Sequence, residues 1–252
     1  MDPFNLDGKV ALITGASRGI GEAIALLLAE KGALCILVSR NIEALETVEK
    51  KITAKDGKAE SMACHLGKID QIADLIKGVK QRHGRLDILV NNAAANPYFG
   101  EMATAEEWAW DKTNDVNLKG PFFMIQQAAP LMKEQKGGSI INVSSINGVV
   151  PALFQGIYSI TKAGLITMTR AYAKELAPHN IRVNALLPGL TDTKFASAIT
   201  DNEEIKNMVI PQIPLGRMAQ PEEMAGAVLY LASQASSFTT GASITCDGGM
   251  LA

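Results

Sequence analysis

Cysteine is scarce in this chain. Its three thiols, Cys35, Cys64 and Cys246, stand far apart, and none falls in a C-x-x-C pair. A small disulfide-stapled fold is therefore excluded, and an odd, scattered set reads as reduced thiols in a cytoplasmic protein. Histidine is equally rare. His65, His83 and His179 are isolated, with no H-E-x-x-H spacing, so no metal site is expected. Long apolar runs are missing too. The longest uncharged stretch, Gly137–Thr161, is interrupted by Asn, Ser, Gln, glycines and a proline, which rules it out as a membrane span. Neither sign of charge is in excess. A net charge of −2 gives no basic surface for nucleic acid, and no such partner is expected. The amino-terminal MDPFNLDGK lacks the basic-then-apolar pattern of a secretory signal. No lipidation or targeting tripeptide is expected from the carboxyl terminus.

What remains is an ordinary globular composition of 252 residues, 47% hydrophobic and 20% charged, enough for one well-buried core. Short apolar runs alternate with helical patterns along its length. Strands are expected at Val10–Thr14, Leu34–Ser39, Ala59–Ala63, Leu86–Asn91, Ser139–Val143, Ile181–Leu187 and Ser243–Cys246. Helices are expected at Gly19–Lys31, Asn41–Lys55, Ile69–His83, Tyr158–Leu176 and Pro221–Ala232, with a long helical region Thr104–Lys133 bent or broken near Pro121. This alternation predicts an α/β fold: a single doubly wound parallel sheet, Rossmann-like, with helices on both faces, and residues 1–252 forming one domain. Ligands of such sheets bind outside the carboxyl ends of the strands, so residues just after each strand are the candidates for function.

After the first strand comes Thr14-Gly15-Ala16-Ser17-Arg18-Gly19-Ile20-Gly21. Glycines there permit a tight turn and close approach to a phosphate, and the following helix offers its first amides to the anion. Alone the turn is weak; between a strand and a helix it predicts a dinucleotide site. An NAD site would place an acidic residue after the second strand. Here Ser39-Arg40-Asn41 stands instead. A carboxylate would repel a ribose 2′-phosphate, whereas an arginine pairs with it, and Arg18 adds a second positive charge. The expected cofactor is NADP(H). The plainer alternative is that Arg40 merely begins a helix on a solvated face.

Of four tyrosines only Tyr158 has a lysine, Lys162, four residues on, which puts both on one helix face. A nearby ammonium favours the phenolate, making the pair a candidate for proton transfer. By itself it is more often a chance surface pair. Ser144-Ser145 ends the fifth strand at the ligand-binding edge; Ser144 reads as a turn former and Ser145 as the hydroxyl that meets a substrate oxygen. The loops that should line the substrate pocket, Ala95–Gly100, Ile146–Ile157 and Leu190–Pro214, carry Tyr98, Phe99, Val149, Leu153, Phe154, Leu190 and Phe195. Such a lining favours hydrophobic ketones or aldehydes, with Tyr98 and Phe154 as candidate substrate contacts. The long segment Leu190–Pro214 is expected to act as a lid.

Taken together, the glycine-rich turn, Asn91-Asn92-Ala93-Ala94, Asn117, Ser145, Tyr158-x-x-x-Lys162, Pro188-Gly189 and Thr240-Gly241 leading to Asp247-Gly248-Gly249 resemble the short-chain dehydrogenases/reductases over nearly the whole chain. The resemblance implies a catalytic set of Asn117, Ser145, Tyr158 and Lys162. Tyr158 would be general acid in reduction and base in oxidation. Ser145 would polarise the carbonyl. Lys162 would bind the nicotinamide ribose and lower the Tyr158 pKa, and Asn117 would interrupt its helix and hold a water. It also implies cofactor contacts from Gly15, Ser17, Arg18, Gly19, Ile20, Gly21, Ser39, Arg40, Asn41, Asn92, Ala93, Ala94, Pro188, Gly189, Leu190, Thr191 and Thr193, and a homotetramer.

Two departures stand out. Ala94 replaces the family's usual glycine, which implies a slightly different turn beside the cofactor. Cys64-His65-Leu66-Gly67 replaces the usual acidic or amide residue, leaving His65 and Leu66 either against the adenine or in a solvated loop. Both segments are similar to the branch that includes the peroxisomal NADPH-dependent carbonyl and retinal reductases of animals, without their peroxisomal carboxyl terminus. The expected partner is a small carbonyl or alcohol substrate. A 3-oxoacyl thioester reductase, met by carrier protein at Lys133, Lys136 or Lys174, and a non-catalytic NADP-binding protein are the alternatives.

Overall fold

A computed structural model describes residues 2–197 and 202–252, apart from the side chain of Ile205. Seven strands form one parallel sheet in the order β3-β2-β1-β4-β5-β6-β7. They are β1 (Val10–Thr14), β2 (Leu34–Ser39), β3 (Lys58–Ala63), β4 (Ile88–Asn91), β5 (Gly138–Val143), β6 (Ile181–Pro188) and β7 (Ser243–Cys246). The helices are α1 (Gly19–Glu30), α2 (Ile42–Thr53), α3 (Ile69–His83), α4 (Glu107–Asn114), α5 (Gly120–Glu134), α6 (Gly156–Leu176), α7 (Glu203–Val209) and α8 (Pro221–Ala232).

The two faces can be read from alternate residues of β1. Ala11 and Ile13 bury against α1 and α8, while Val10 and Leu12 bury against α3 and α5. Each fully buried Leu or Ile contributes roughly 1.5–3 kcal/mol relative to exposure. With both faces covered, the strands are continuously apolar rather than alternating. The strand order reverses between β1 and β4, so a crevice opens there at the carboxyl edge of the sheet.

Two boundaries differ from expectation for visible reasons. β4 starts at Ile88 rather than Leu86, because the Gln135 side chain takes both backbone groups of Leu86, at 3.0 and 2.7 Å. The long helical region begins at Glu107 and keeps helical backbone through an irregularity before Pro121: Asp115–Lys119 form a π turn, and Pro121 follows in the first turn of α5. π turns insert one residue and re-aim a side chain, often at functional sites. Here the re-aimed residue is Asn117, which is fully buried. The expected lid carries α7 and two short 3-10 turns; its residues 198–201 lie outside the described residues. Among the described residues no helix is long and apolar enough to cross a membrane, and no three metal-ligating side chains converge.

Candidate active site

The crevice is a cleft of about 780 Å³ running from the glycine-rich turn, past Arg40 and His65, to Ser145 and Tyr158. The turn after β1 is held by backbone geometry only glycine tolerates. Gly15 and Gly19 have φ of +67° and +59°. A Cβ on Gly21 would collide with the Gly15 carbonyl oxygen and the Asn92 amide. That amide in turn ties β4 to the turn, donating to the Thr14 carbonyl at 2.9 Å, while the Thr14 hydroxyl accepts from Asn92 and Ala93 backbone N–H groups. Gly21→Ala is expected to cost about 1–3 kcal/mol of stability by overpacking and to weaken dinucleotide binding at least tenfold. Thermal melts and fluorescence titration check both.

Arg18, the residue preceding α1, makes no side-chain cap, so the first amides of that helix stay available to an anion. Arg18 and Arg40 are exposed on the cleft, and neither has an ion-pair partner among the described residues. These features fit a nicotinamide dinucleotide. His65 also lines the cleft. Its Nδ1 accepts from Gly67 at 3.1 Å, and Nε2 lies 3.3 Å from the Lys112 ammonium. Burial, then Lys112 and Arg40, hold its pKa below the ordinary value, so the ring is neutral at the cationic end of the cleft. Leu66, Ala93, Ser17, Ile20, Ser39, Pro188, Gly189, Leu190, Thr191 and Thr193 line the cleft as well. Ala94 is there without positive φ, so the alanine that replaces a glycine is unstrained.

At the other end of the cleft, the end of β5 carries Ser145 and α6 carries Tyr158 and Lys162. Ser144 and Ser145 both line the cleft, but the Ser144 hydroxyl is spent on the Lys162 carbonyl at 2.8 Å. Tyr158 is 7% exposed and Lys162 2%. The Lys162 ammonium donates to the Val143 carbonyl at 2.8 Å and lies 5.4 Å from the Tyr158 ring centre. Burial pushes the phenol up to about 12, opposed by a hydrogen bond with Ser145. Burial pushes the lysine down to about 7. Desolvation therefore outweighs any help the ammonium gives the phenolate in the protein alone. Asn117 does not reach the cleft. Its side chain accepts from Ala95 N at 2.7 Å and donates to Ala95 O at 2.9 Å and Thr161 Oγ1 at 3.2 Å. It is a clamp on the loop after β4, and those bonds leave its side chain little capacity for a water.

With that geometry in view, the comparisons with known proteins are decisive. A family model described as enoyl-(acyl carrier protein) reductase matches residues 15–251. Human dehydrogenase/reductase SDR family member 4 is 37% identical over 97% of this chain and 88% of its own length. The chain belongs to the short-chain dehydrogenase/reductase family. It is an oxidoreductase of alcohol and carbonyl groups. A 3-oxoacyl-(acyl-carrier-protein) reductase of Thermotoga maritima is 42% identical over 98% of this chain and all of its own. A solved gluconate 5-dehydrogenase of Burkholderia cenocepacia, in complex with NADP and tartrate, superposes with a TM-score of 0.95 at 32% identity, covering 99% of this chain and 98% of that one.

Two residues expected to make contacts in this short-chain dehydrogenase/reductase lie off the cleft lining. Asn41 is spent as the cap of α2, accepting from Ala44 N at 2.9 Å, and does not line the cleft. Tyr98 turns its hydroxyl away, to the Glu101 carbonyl at 2.7 Å and Thr104 at 2.8 Å; Phe99 lines the cleft in its place. Phe154 does line it, from a left-handed backbone with φ of +62° and with its ring 5.9 Å from Phe99. Several lining residues were not anticipated. Lys112 and the carboxyl-terminal Met250 and Leu251 carry no local signal, because only the fold brings them in. Gln155 had one: it lies three residues before Tyr158 on the same helical side.

Proposed function

We propose that this enzyme is an NADP(H)-dependent carbonyl reductase, or secondary alcohol dehydrogenase, of hydrophobic ketones and aldehydes. One observation carries the reading: a buried Ser145–Tyr158–Lys162 cluster opens on the same cleft as Arg18 and Arg40. The bound nicotinamide supplies or accepts the hydride. Ser145 and the Tyr158 hydroxyl hold the carbonyl oxygen, and Tyr158 delivers its proton to that oxygen as charge develops there. Lys162 holds the nicotinamide ribose. Asn117 positions the loop that carries Ala93, Ala94 and Ala95. The phenol holds its proton at neutral pH, which is the form that donates in reduction. Phe99, Phe154 and Phe195 give the substrate end an apolar rim, with the Phe195 ring 5.7 Å from that of Tyr158.

Preference for NADPH rests on Arg40. Arg40→Asp is expected to raise the apparent KM for NADPH at least tenfold more than that for NADH, because a carboxylate there repels the 2′-phosphate and suits a 2′-hydroxyl. Steady-state kinetics with both cofactors checks this; equal effects on the two would overturn the assignment. The 42% identity with the Thermotoga maritima reductase supports a second reading, reduction of 3-oxoacyl thioesters. A strong preference for carrier-bound over free ketones would favour it. One domain serves cofactor and substrate alike in this reading. Exposed Trp108, Trp110, Phe122 and Ile160 support a homotetramer, which light scattering tests. Cys35 and Cys64, pushed up to about 12 and about 11 by burial, are inert thiols that suit the cytoplasm.

A further inference from the structure

Every charged side chain lining the cleft is basic; among the described residues no aspartate or glutamate lines it. Arg18 and Arg40 stand at its cofactor end, where the sequence predicts them. Lys112 has no such signal. It comes from α4, one helical turn before Val116, which lines the cleft too. Lys112 is half-buried, and no carboxylate pairs with it among the described residues. Asp115, three residues on, is taken by Lys119 at 3.0 Å. The polar atom that Lys112 does meet is His65 Nε2, 3.3 Å from its ammonium.

That contact cannot satisfy the ammonium. A neutral imidazole has one N–H and one acceptor nitrogen. The Gly67 backbone N–H can only donate, and it claims Nδ1 as its acceptor at 3.1 Å. The ring proton then sits on Nε2, and donor faces donor. Moving the proton to Nδ1 frees Nε2 for Lys112 but sets the ring against Gly67. Either tautomer leaves one donor unmet. The loop backbone is pinned as well: His65 N donates to Gln71 Oε1 at 2.8 Å, and the His65 carbonyl accepts from Lys68 N at 2.8 Å. Arg40 and Lys68 add like charge within reach of the ring.

Polar groups left unpaired inside a native fold call for a missing partner. Here Lys112 Nζ, His65 Nε2–H and the Arg40 guanidinium are all donors, and together they call for an anion with several acceptor oxygens. An adenine edge does not answer this, because it sets an N–H₂ donor beside a single acceptor nitrogen and carries no charge. A phosphate monoester does, with three acceptor oxygens and nearly two negative charges at neutral pH.

We propose that Lys112 and His65 complete, with Arg40, the site of the ribose 2′-phosphate of NADP(H), Lys112 supplying charge and His65 donating through Nε2–H. This rests on the NADP(H) reading above and adds two residues that set the cofactor preference. The hydroxyl of NAD(H) at that place would leave the three donors without their anion.

The test is calorimetric binding of adenosine 2′,5′-bisphosphate and of adenosine 5′-phosphate, which differ only in the 2′-phosphate, to wild type, Lys112→Met, Lys112→Arg and His65→Leu. The wild type is expected to bind the bisphosphate more tightly by about tenfold or more, the usual scale of a hydrogen bond to a charged group. Lys112→Met should lose most of that ratio while its affinity for adenosine 5′-phosphate is kept. Lys112→Arg, which keeps the charge, should restore the ratio, and His65→Leu should lose part of it. If the methionine variant melts early, Lys112→Gln makes the same comparison. An unchanged ratio in Lys112→Met would overturn the subsite and leave the NADP(H) reading, which Arg40 carries, standing. Equal weakening of both nucleotides would do the same, since it would put Lys112 against the adenine or the 5′-phosphate. A wild-type ratio near one would overturn both.

Discussion

Replacing Tyr158 with phenylalanine is expected to lower kcat/KM by about 10²–10⁴-fold, the usual contribution of a positioned acid–base group, while the fold and dinucleotide binding survive. The substitution removes one hydroxyl and leaves the ring in its contact with Phe195. Its hydrogen bond with Ser145 is lost, which costs about 0.5–1.5 kcal/mol at most. The two losses are therefore separable. NADPH consumption with a ketone reports the chemistry, and fluorescence titration with NADPH reports the cofactor site. A variant that turns over at the wild-type rate would remove Tyr158 from the mechanism. One that neither binds NADPH nor melts cooperatively would show that the residue is structural.

Lys162 has a comparable effect on stability, and its sign is set by burial. Its ammonium is pushed from the ordinary value of 10.5 to about 7 in the folded protein. Between those two values the unfolded chain binds a proton that the folded one does not, so stability rises with pH across that window. Below about 7 both states are protonated, and the burden of the buried charge is constant and greatest. Each unit of displacement corresponds to about 1.4 kcal/mol, which gives a ceiling of about 4–5 kcal/mol across the window. Tyr158 works in the opposite direction. Its pKa is raised from 10.0 to about 12, so its contribution is lost only as the pH climbs through that higher range. The measurement is urea unfolding of the dinucleotide-free protein and of Lys162→Met between pH 7 and pH 10. Wild-type stability is expected to rise with pH relative to the variant by several kcal/mol. Parallel curves would mean that the lysine is not desolvated as the fold suggests. Comparing slopes removes the constant cost of losing the bond to the Val143 carbonyl.

Much of this was legible in one dimension because it rests on local rules. The strand–helix alternation of β1 through α3 follows from apolar runs, glycine turns and helical periodicity. The doubly wound sheet follows from that alternation. The glycines of the first turn are legible for the same reason: a left-handed φ at Gly15 and Gly19 and the absence of a Cβ at Gly21 are properties of single residues. So is the Tyr158–Lys162 spacing, which any helix converts into one face.

Where the sequence misled, a residue's side chain had two uses and only packing chose between them. Asn41 could touch a ribose or cap α2; the free amide of Ala44 is nearer, and the cap won. Tyr98 could face the substrate or its own loop; the Glu101 carbonyl and Thr104 satisfy its hydroxyl, and Phe99 takes the cleft. The irregularity expected near Pro121, where the family resemblance implied that Asn117 interrupts its helix, is there. Its form, a π turn at Asp115–Lys119, came only from the fold, in which Asn117 makes three hydrogen bonds to Ala95 and Thr161.

The sequence by itself determined the sheet, the glycine turn after β1 and the placing of Tyr158 and Lys162 on one face of α6. Each depends on spacing within one element or on the chemistry of one residue. The tertiary structure decided how strongly Tyr158 and Lys162 are desolvated and where the Ser144 hydroxyl is spent. It also decided that Lys112, Met250 and Gln155 help line the cleft. These depend on distances between elements far apart in the chain, and burial and unsatisfied hydrogen-bond valences exist only once those elements have met.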